Sequence, residues 1–438
     1  MKQILKIFLI CLFWISPALA QKQKNYEWAL HIDTRLDLTY FPEENGDTNN
    51  FLTKLELDPN FLYKHESDWR FFIKPTFVAN PDNKSTEEQY FLDPTEAYLR
   101  YSGDSLTLQL GYSTFSWGVT DGYNPLDIVN SKQYYDPLHS RKLGAPSLTL
   151  SQSLSWFDWD FTYIPQNRGA TLPGTESRWL PREVYVPLDP ANDIVLLLPT
   201  ELRYHYNSRQ SLDHALDNNL AMRIQKHFST IDLALYGYSG VASFPLVQPI
   251  VTGTVIAVSP KQIVQVDPDV YLNTMNYPTQ MGGLTFVSSQ WDFLFKYATA
   301  YSQSIGDNPL LPGWTHENIV ALEKTFQMGS SGMLIGVLQY SFLNAEKRND
   351  SNLSLLEIFR NAWMIGGKMS WKEVWNLSLS ALYDVNHDTH YEELIIGRRF
   401  ADRWTLSLGA TLISGDLADP LGVYNKNDNY NLSLSASF

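Results

Sequence analysis

From Trp28 to Tyr40 the chain alternates between two chemistries. Trp28, Leu30, Ile32, Leu36, Leu38 and Tyr40 are apolar or aromatic, and His31, Asp33, Arg35 and Asp37 stand between them. Side chains of a strand point to opposite faces in turn, so this period of two makes one greasy and one wet face. The segment is longer than most strands of soluble sheets. It matches the ~9–11 tilted residues that cross a bilayer, with some overhang. The pattern recurs to the end of the chain, for example in Leu106-Leu108-Leu110-Tyr112, Phe157-Trp159-Phe161-Tyr163, Trp404-Leu406-Leu408 and Tyr430-Leu432-Leu434-Ala436-Phe438. Past Ala20 no apolar run reaches the roughly 20 residues of a spanning helix.

The alternation predicts strands near 28–40, 51–63, 69–78, 96–101, 105–113, 147–154, 157–164, 217–228, 231–239, 279–288, 291–301, 317–326, 333–341, 361–370, 375–383, 391–400, 404–413 and 430–438. The connections alternate too. Tight ones, such as Ser102-Gly103-Asp104, Ser229-Thr230, Ser289-Gln290 and Ala401-Asp402-Arg403, take turns with mostly longer ones, including 114–146, 165–216 and 240–278. Trp69, Tyr101, Trp156, Phe228, Trp291, Phe326, Trp371, Trp375, Phe400 and Trp404 flank the tight set. Amphipathic rings prefer a bilayer interface, and bacterial barrels have short periplasmic turns and longer external loops. The expected fold is therefore all-β: a transmembrane, antiparallel, up-and-down β-barrel of about 18 strands, with 16 as the alternative count. A large soluble β-sandwich or propeller would also alternate, but it would need neither aromatic-flanked turns nor one-sided long loops.

The first 20 residues have the form of a secretory signal, removed before the mature barrel domain at 21–438. Lys2 and Lys6 precede an apolar run, Ile7 to Ile15, and Ala18-Leu19-Ala20 is a small-x-small cleavage site. The single cysteine, Cys11, lies inside this segment after the bulky Ile10, which is unsuited to a lipoprotein acceptor. A mature chain without cysteine has no disulfide, thiolate metal site or cysteine nucleophile. Once Lys2 and Lys6 are taken from the 33 basic residues, 47 acidic residues outweigh the remaining 31 by 16. Nucleic-acid affinity comes mainly from Lys and Arg on phosphates, so no nucleic-acid partner is expected.

If the greasy face meets lipid, the wet face lines a lumen. Asp33, Arg35, Asp37, Lys54, Glu56, Lys74, Glu96, Arg100 and Arg223 are expected there, with Asp158, Asp160, Asp232, Lys296 and Lys368. Mixed signs suggest transverse pairing rather than a ring of one charge. Two long loops carry apolar runs, Ile194 to Leu198 and Phe244 to Val266. Exposed apolar stretches usually mark contact sites, so these loops either enter the lumen or pack as a lid. The cluster Ser177-Arg178-Trp179-Leu180-Pro181-Arg182-Glu183 holds an Arg pair suited to a carboxylate or phosphate; the alternative is an Arg–Glu staple within the loop.

In the loop 114–146, Phe115-Ser116-Trp117-Gly118 precedes Asp121-Gly122-Tyr123-Asn124-Pro125-Leu126-Asp127. Over residues 105–165 the chain resembles a family of outer-membrane barrels found alongside RND-type exporters, in which a strand leads into a Trp-Gly and an Asn-Pro-x-Asp turn. Gly111-Tyr112-Ser113 departs from that family's Gly-Arg-Gln-like start. The resemblance implies movement of lipids or other hydrophobic compounds, with an RND-type exporter system as partner. Trp117, Asp121 and Asn124, with Arg178, Trp179 and Arg182, join the expected pore or substrate residues.

The expected activity is a channel leaning to hydrophobic or amphipathic solutes, with inward loops setting selectivity. A porin for small hydrophilic solutes and a closed structural or adhesive barrel are the alternatives. Outer-membrane lipid, lipopolysaccharide and, through Phe438, the barrel assembly machinery are the further partners. The sequence holds no Gly-x-Ser-x-Gly elbow, phosphate loop or His-Glu-x-x-His. His387-Asp388-Thr389-His390 reads as a solvated hairpin tip. No enzyme activity, metal or cofactor is expected.

Overall fold

The computed structural model describes residues 21–23, 26–65, 68–182, 194–258, 261–346, 358–417 and 419–438. The segment 1–20 and Glu183 lie outside them. Eighteen strands close on themselves: β1 (Tyr26–Tyr40), β2 (Phe51–His65), β3 (Trp69–Ala79), β4 (Tyr90–Ser102), β5 (Leu106–Ser113), β6 (Ala145–Ser153), β7 (Asp158–Gln166), β8 (Asp217–His227), β9 (Ile231–Val241), β10 (Pro278–Gln290), β11 (Phe293–Ser304), β12 (Trp314–Met328), β13 (Gly332–Ala345), β14 (Asn361–Trp371), β15 (Trp375–Asp384), β16 (Thr389–Phe400), β17 (Trp404–Ser414) and β18 (Asn429–Ser437). Each pairs antiparallel with its neighbours in chain order. β1 and β18 seal the seam from Asp33 opposite Ser437 to Tyr40 opposite Tyr430. Every expected strand is present. A barrel of this strand number leaves room for an aqueous channel.

Alternation explains the wall. Leu110, Leu235, Ile365 and Leu408 are each more than half exposed, and they lie on the same face as many other large apolar side chains. A soluble monomer rarely leaves so much greasy surface in one band; an outer-membrane barrel turns it to hydrocarbon. The chain is thus a transmembrane β-barrel of the bacterial outer-membrane type. Trp69, Trp156, Phe228, Trp291, Phe326, Trp371, Trp375 and Phe400 are exposed beside the tight turns, as an aromatic girdle requires.

Three tight turns place two non-glycine residues at positive φ: Trp291-Asp292, Lys372-Glu373 and Ala401-Asp402. Consecutive left-handed residues give a tight turn whose twist matches the strands; Trp291-Asp292 is a two-residue loop between Gln290 and Phe293, and the other two connections span three residues. The β10–β11 turn falls at Trp291-Asp292, two residues later than the alternation suggested, because Ser289 and Gln290 still pair with Leu294 and Phe293. β4 begins six residues earlier than expected. Asp93-Pro94-Thr95 interrupts its alternation at a bulge, where Lys74 pairs with both Thr95 and Glu96.

The apolar loop at Phe244 to Val266 is corrected to a β-hairpin. Leu246–Ala257 pairs antiparallel with Gln262–Asn276, and Ile194–Leu197 and Arg203–Tyr206 run parallel on the other side of the second arm. The first arm was hidden because Pro249 and Gly253 break its period and it carries no charge, whereas the second arm does alternate, with Gln265, Asp267, Asp269 and Asn273 between apolar residues. The two apolar runs therefore pack together. At the base of this external sheet Leu180, Tyr204, Val247, Val270 and Leu272 form a buried cluster.

Candidate functional site

The segment between β5 and β6, residues 114–144, touches strands around the whole circumference. Trp117 packs against Tyr236 of β9 at 5.4 Å between ring centroids. Leu126 fills the space where a side chain at Gly283 of β10 would stand. The Lys296 ammonium of β11 bonds Asp121 at 2.6 Å and Glu323 of β12 at 2.7 Å. Tyr123 donates to Glu317 of β12, and the Gln339 amide of β13 donates to the Tyr123 carbonyl at 2.9 Å. Arg141 pairs with Glu56 of β2, and His139 with Glu393 of β16 at 3.3 Å. A segment that reaches both sides of a closed wall through its wet face lies inside the lumen.

Local chemistry holds this inner loop in shape. The Asn124 carboxamide accepts from Leu126 N at 3.2 Å and donates to the Trp117 carbonyl. Gly118 between them has φ +90, and a Cβ there would overlap the Asn124 side chain, so glycine is required. Asn130, which the sequence reading missed, ties the loop's two ends together. It accepts from Phe115 N at 2.6 Å and donates to the carbonyls of Ser113 and Leu143 at 3.0 and 2.9 Å. No spacing rule marks such a residue, because its partners lie 13 to 17 positions away. Asp127 bridges Lys142 at 2.6 Å and Lys132 at 3.3 Å.

The loop leaves a cavity of about 1140 Å³ on the side of β10 to β16. Its walls are chemically mixed. Ile128, Leu138, Phe244, Ile335, Val337 and Phe359 give apolar surface; Asp121, Glu317, Gln339, Lys368, Ser380 and Glu393 give polar groups. Tyr123 and Phe359 stack at 4.1 Å with only 8° between their planes. Burial, with Glu317 second, pushes the Tyr123 hydroxyl well above its usual titration range. The phenol therefore stays protonated and can act as a donor. His139 is the opposite case. Burial alone would lower its pKa, but the carboxylates of Asp136 (2.8 Å) and Glu393 outweigh it and raise the imidazole to about 10.

The expected wall charges divide by partner. Arg35 bonds Asp37 at 2.7 Å, and Lys54 approaches the same carboxylate at 3.5 Å. Asp33 accepts from Ser437, and Arg100 donates to Gln109 at 2.7 Å. Glu96 accepts from Thr114 at 3.2 Å, while Lys74 sits at the β3–β4 bulge opposite it. Arg223 and Asp160 pair across β7 and β8 at 2.7 Å. Opposite signs thus meet along the wet face. Asp121 and Asn124 lie at the tip of the inner loop. The Trp117 ring, only 5% exposed, is buried between loop and wall and does not face open lumen.

Arg178, Trp179 and Arg182 lie together among the external loops rather than beside the inner loop's tip. Arg178 is buried and donates to Thr48 and to the carbonyls of Glu43 and Lys426. Burial lowers its pKa to about 10. Arg182 donates to the carbonyls of Leu202, Thr175 and Ser177. Trp179 leans on Tyr424 at 5.7 Å. These guanidinium groups knit the mouth loops through carbonyls and a hydroxyl; the expected Arg–Glu staple involves Glu183, which lies outside the described residues. Sequence could not supply this, because the acceptors come from segments up to 248 residues away.

Among the described residues no cluster of three or more His, Cys, Asp or Glu is arranged to hold a metal ion. No protein-family profile matches the chain, and no relative among curated proteins matches its sequence. Among solved structures, the chain is similar to the outer-membrane expressed OmpT of Vibrio cholerae, with 8% identity, 96% of this chain and 100% of that one covered, and a TM-score of 0.44. It is also similar to a mutant of the Rhodopseudomonas blastica porin, with 12% identity, 94% and 100% covered, and a TM-score of 0.39.

Proposed function

We propose that the barrel is a passive channel for amphipathic or hydrophobic solutes, with the inner loop 114–144 as its selectivity element. The observation that carries this reading is the mixed cavity beside the loop. Binding sites for small organic molecules combine apolar walls with a few placed polar groups. Here the Tyr123–Phe359 stack and the aliphatic side chains of Ile335 and Val337 offer a greasy surface. Lys368 offers a cationic donor for a polar head. A hydrophilic porin would draw support from the paired charges of the wet face instead. Work with an RND-type exporter rests on the Trp117-Gly118 and Asn124-to-Asp127 resemblance.

Planar-bilayer recording and ligand competition test the proposal together. Folded protein should give discrete conductance steps, and a fluorescent long-chain fatty acid should bind saturably. Tyr123→Ala should weaken that binding roughly two- to tenfold, the worth of one aromatic contact of about 0.5–1.5 kcal/mol. Folded protein without steps would overturn the channel. Steps without saturable binding would leave the hydrophilic porin standing.

A further inference from the structure

The lipid-facing wall carries a notch that its own side chains leave open. Phe161 of β7, Met222 of β8, Gly237 of β9, Gly282 of β10 and Tyr301 of β11 stand opposite one another in a single row across five strands. At the centre of the row, a Cβ added to Gly237 or Gly282 would meet nothing within 4 Å. The result is a groove of about 460 Å³, two strands or roughly 10 Å wide. Met222 and Tyr301, both more than 40% exposed, flank it. The barrel cannot fill this groove from within. Tyr236, Tyr238 and Met281 are buried on the inner face of the same strands, packed in one core with Trp117 and Leu126.

The groove is graded along its length. Toward the external strand ends the next row is Ser239, Gln280 and Gln303; toward the turns it is Leu235 and Leu284. We infer that the groove is a binding site for one acyl chain of an outer-leaflet lipid, its ester or amide linkage seated at the neutral amides and hydroxyl of the upper row. The wall here faces hydrocarbon, so an apolar chain is the material at hand. The upper row carries hydrogen-bonding groups without charge, which suits carbonyl linkages rather than a phosphate. A second copy of this chain is a poorer occupant: a stable interface takes about 800 Å² from each partner, far more than a notch one or two side chains wide.

A phosphatidylethanolamine carrying a diazirine midway along one acyl chain tests the inference. The full-length protein is placed in nanodiscs containing it, illuminated, and mapped by peptide mass spectrometry. Cross-links should concentrate on 235–239 and 280–284. They should drop at least several-fold in Gly237→Leu and Gly282→Leu, which place side chains where a Cβ meets nothing within 4 Å. Gly336→Leu, on the outer face of β13 with its nearest neighbour at 3.8 Å, should leave the yield unchanged. Heat-modifiable gel mobility verifies that all three variants fold. Uniform labelling around the barrel, or labelling unaffected by the two leucines, overturns the site. Chain-to-chain cross-links that the leucines abolish would assign the groove to a second copy and overturn it equally.

Discussion

His139 shows how a single ring can fasten a loop. It stands between Asp136 of its own loop and Glu393 of the wall. Its folded pKa, about 10, exceeds the ordinary 6.5. A raised histidine contributes its full stabilisation below pH 6.5 and loses it as pH climbs through the folded value. The tether should therefore be firm in mild acid and weaken progressively between pH 6.5 and 10. Channel recordings across that range should show larger or noisier conductance at the alkaline end. His139→Gln should remove the dependence, and an unchanged profile in the variant would refute the tether. The histidine was present in the sequence, but nothing near it named Glu393, which lies on the opposite run of the chain. The same is true of Lys296, whose partner Asp121 is 175 residues away.

Among the elements, the inner loop differs from the external hairpin in what holds it. The hairpin is held by a strand ladder, and the loop by side chains bonded to backbone, above all Asn130. This residue is 2% exposed. Truncating it to alanine leaves buried groups unpaired at about 1–3 kcal/mol each, all of them at the loop's two ends. Asn130→Ala should keep the barrel but loosen the loop. Limited proteolysis of the folded variant should cut within 114–144 where the parent resists, and equal resistance would show that the wall contacts suffice. The barrel strands were legible because each has one greasy and one wet face. The external hairpin was not, since its first arm, broken by Pro249 and Gly253, carries no alternation of apolar and charged residues. Trp117, Asp121 and Asn124 were expected at the pore from the sequence, but not the wall residues that this loop would meet, Tyr236, Lys296 and Glu317 among them.

For the whole molecule, the first and last strands close the barrel at one seam. The backbone N–H and carbonyl of Phe438 exchange hydrogen bonds with Ile32 at 3.0 and 2.9 Å, and its ring meets Trp404 edge-on at 5.9 Å. Deleting Phe438 removes two hydrogen bonds of about 0.5–1.5 kcal/mol each and an aromatic pair of similar worth. The urea midpoint of the already folded barrel should fall, and assembly into membranes in cells should fall further if the terminal ring is also what the assembly machinery reads. A truncated barrel with the parent's midpoint would mean that the seam is held elsewhere.

The sequence by itself determined the wall. Period-two alternation decides which side chains meet lipid and which meet water, and this information is local to each strand. It also marked the side of the tight turns and the aromatic girdle, for the same local reason. The contents of the wall were decided only by tertiary structure. Closing eighteen strands brings Asp121 to Lys296, Tyr123 to Glu317 and Arg141 to Glu56. Side chains that far apart along the chain become neighbours only when the sheet has curved back on itself.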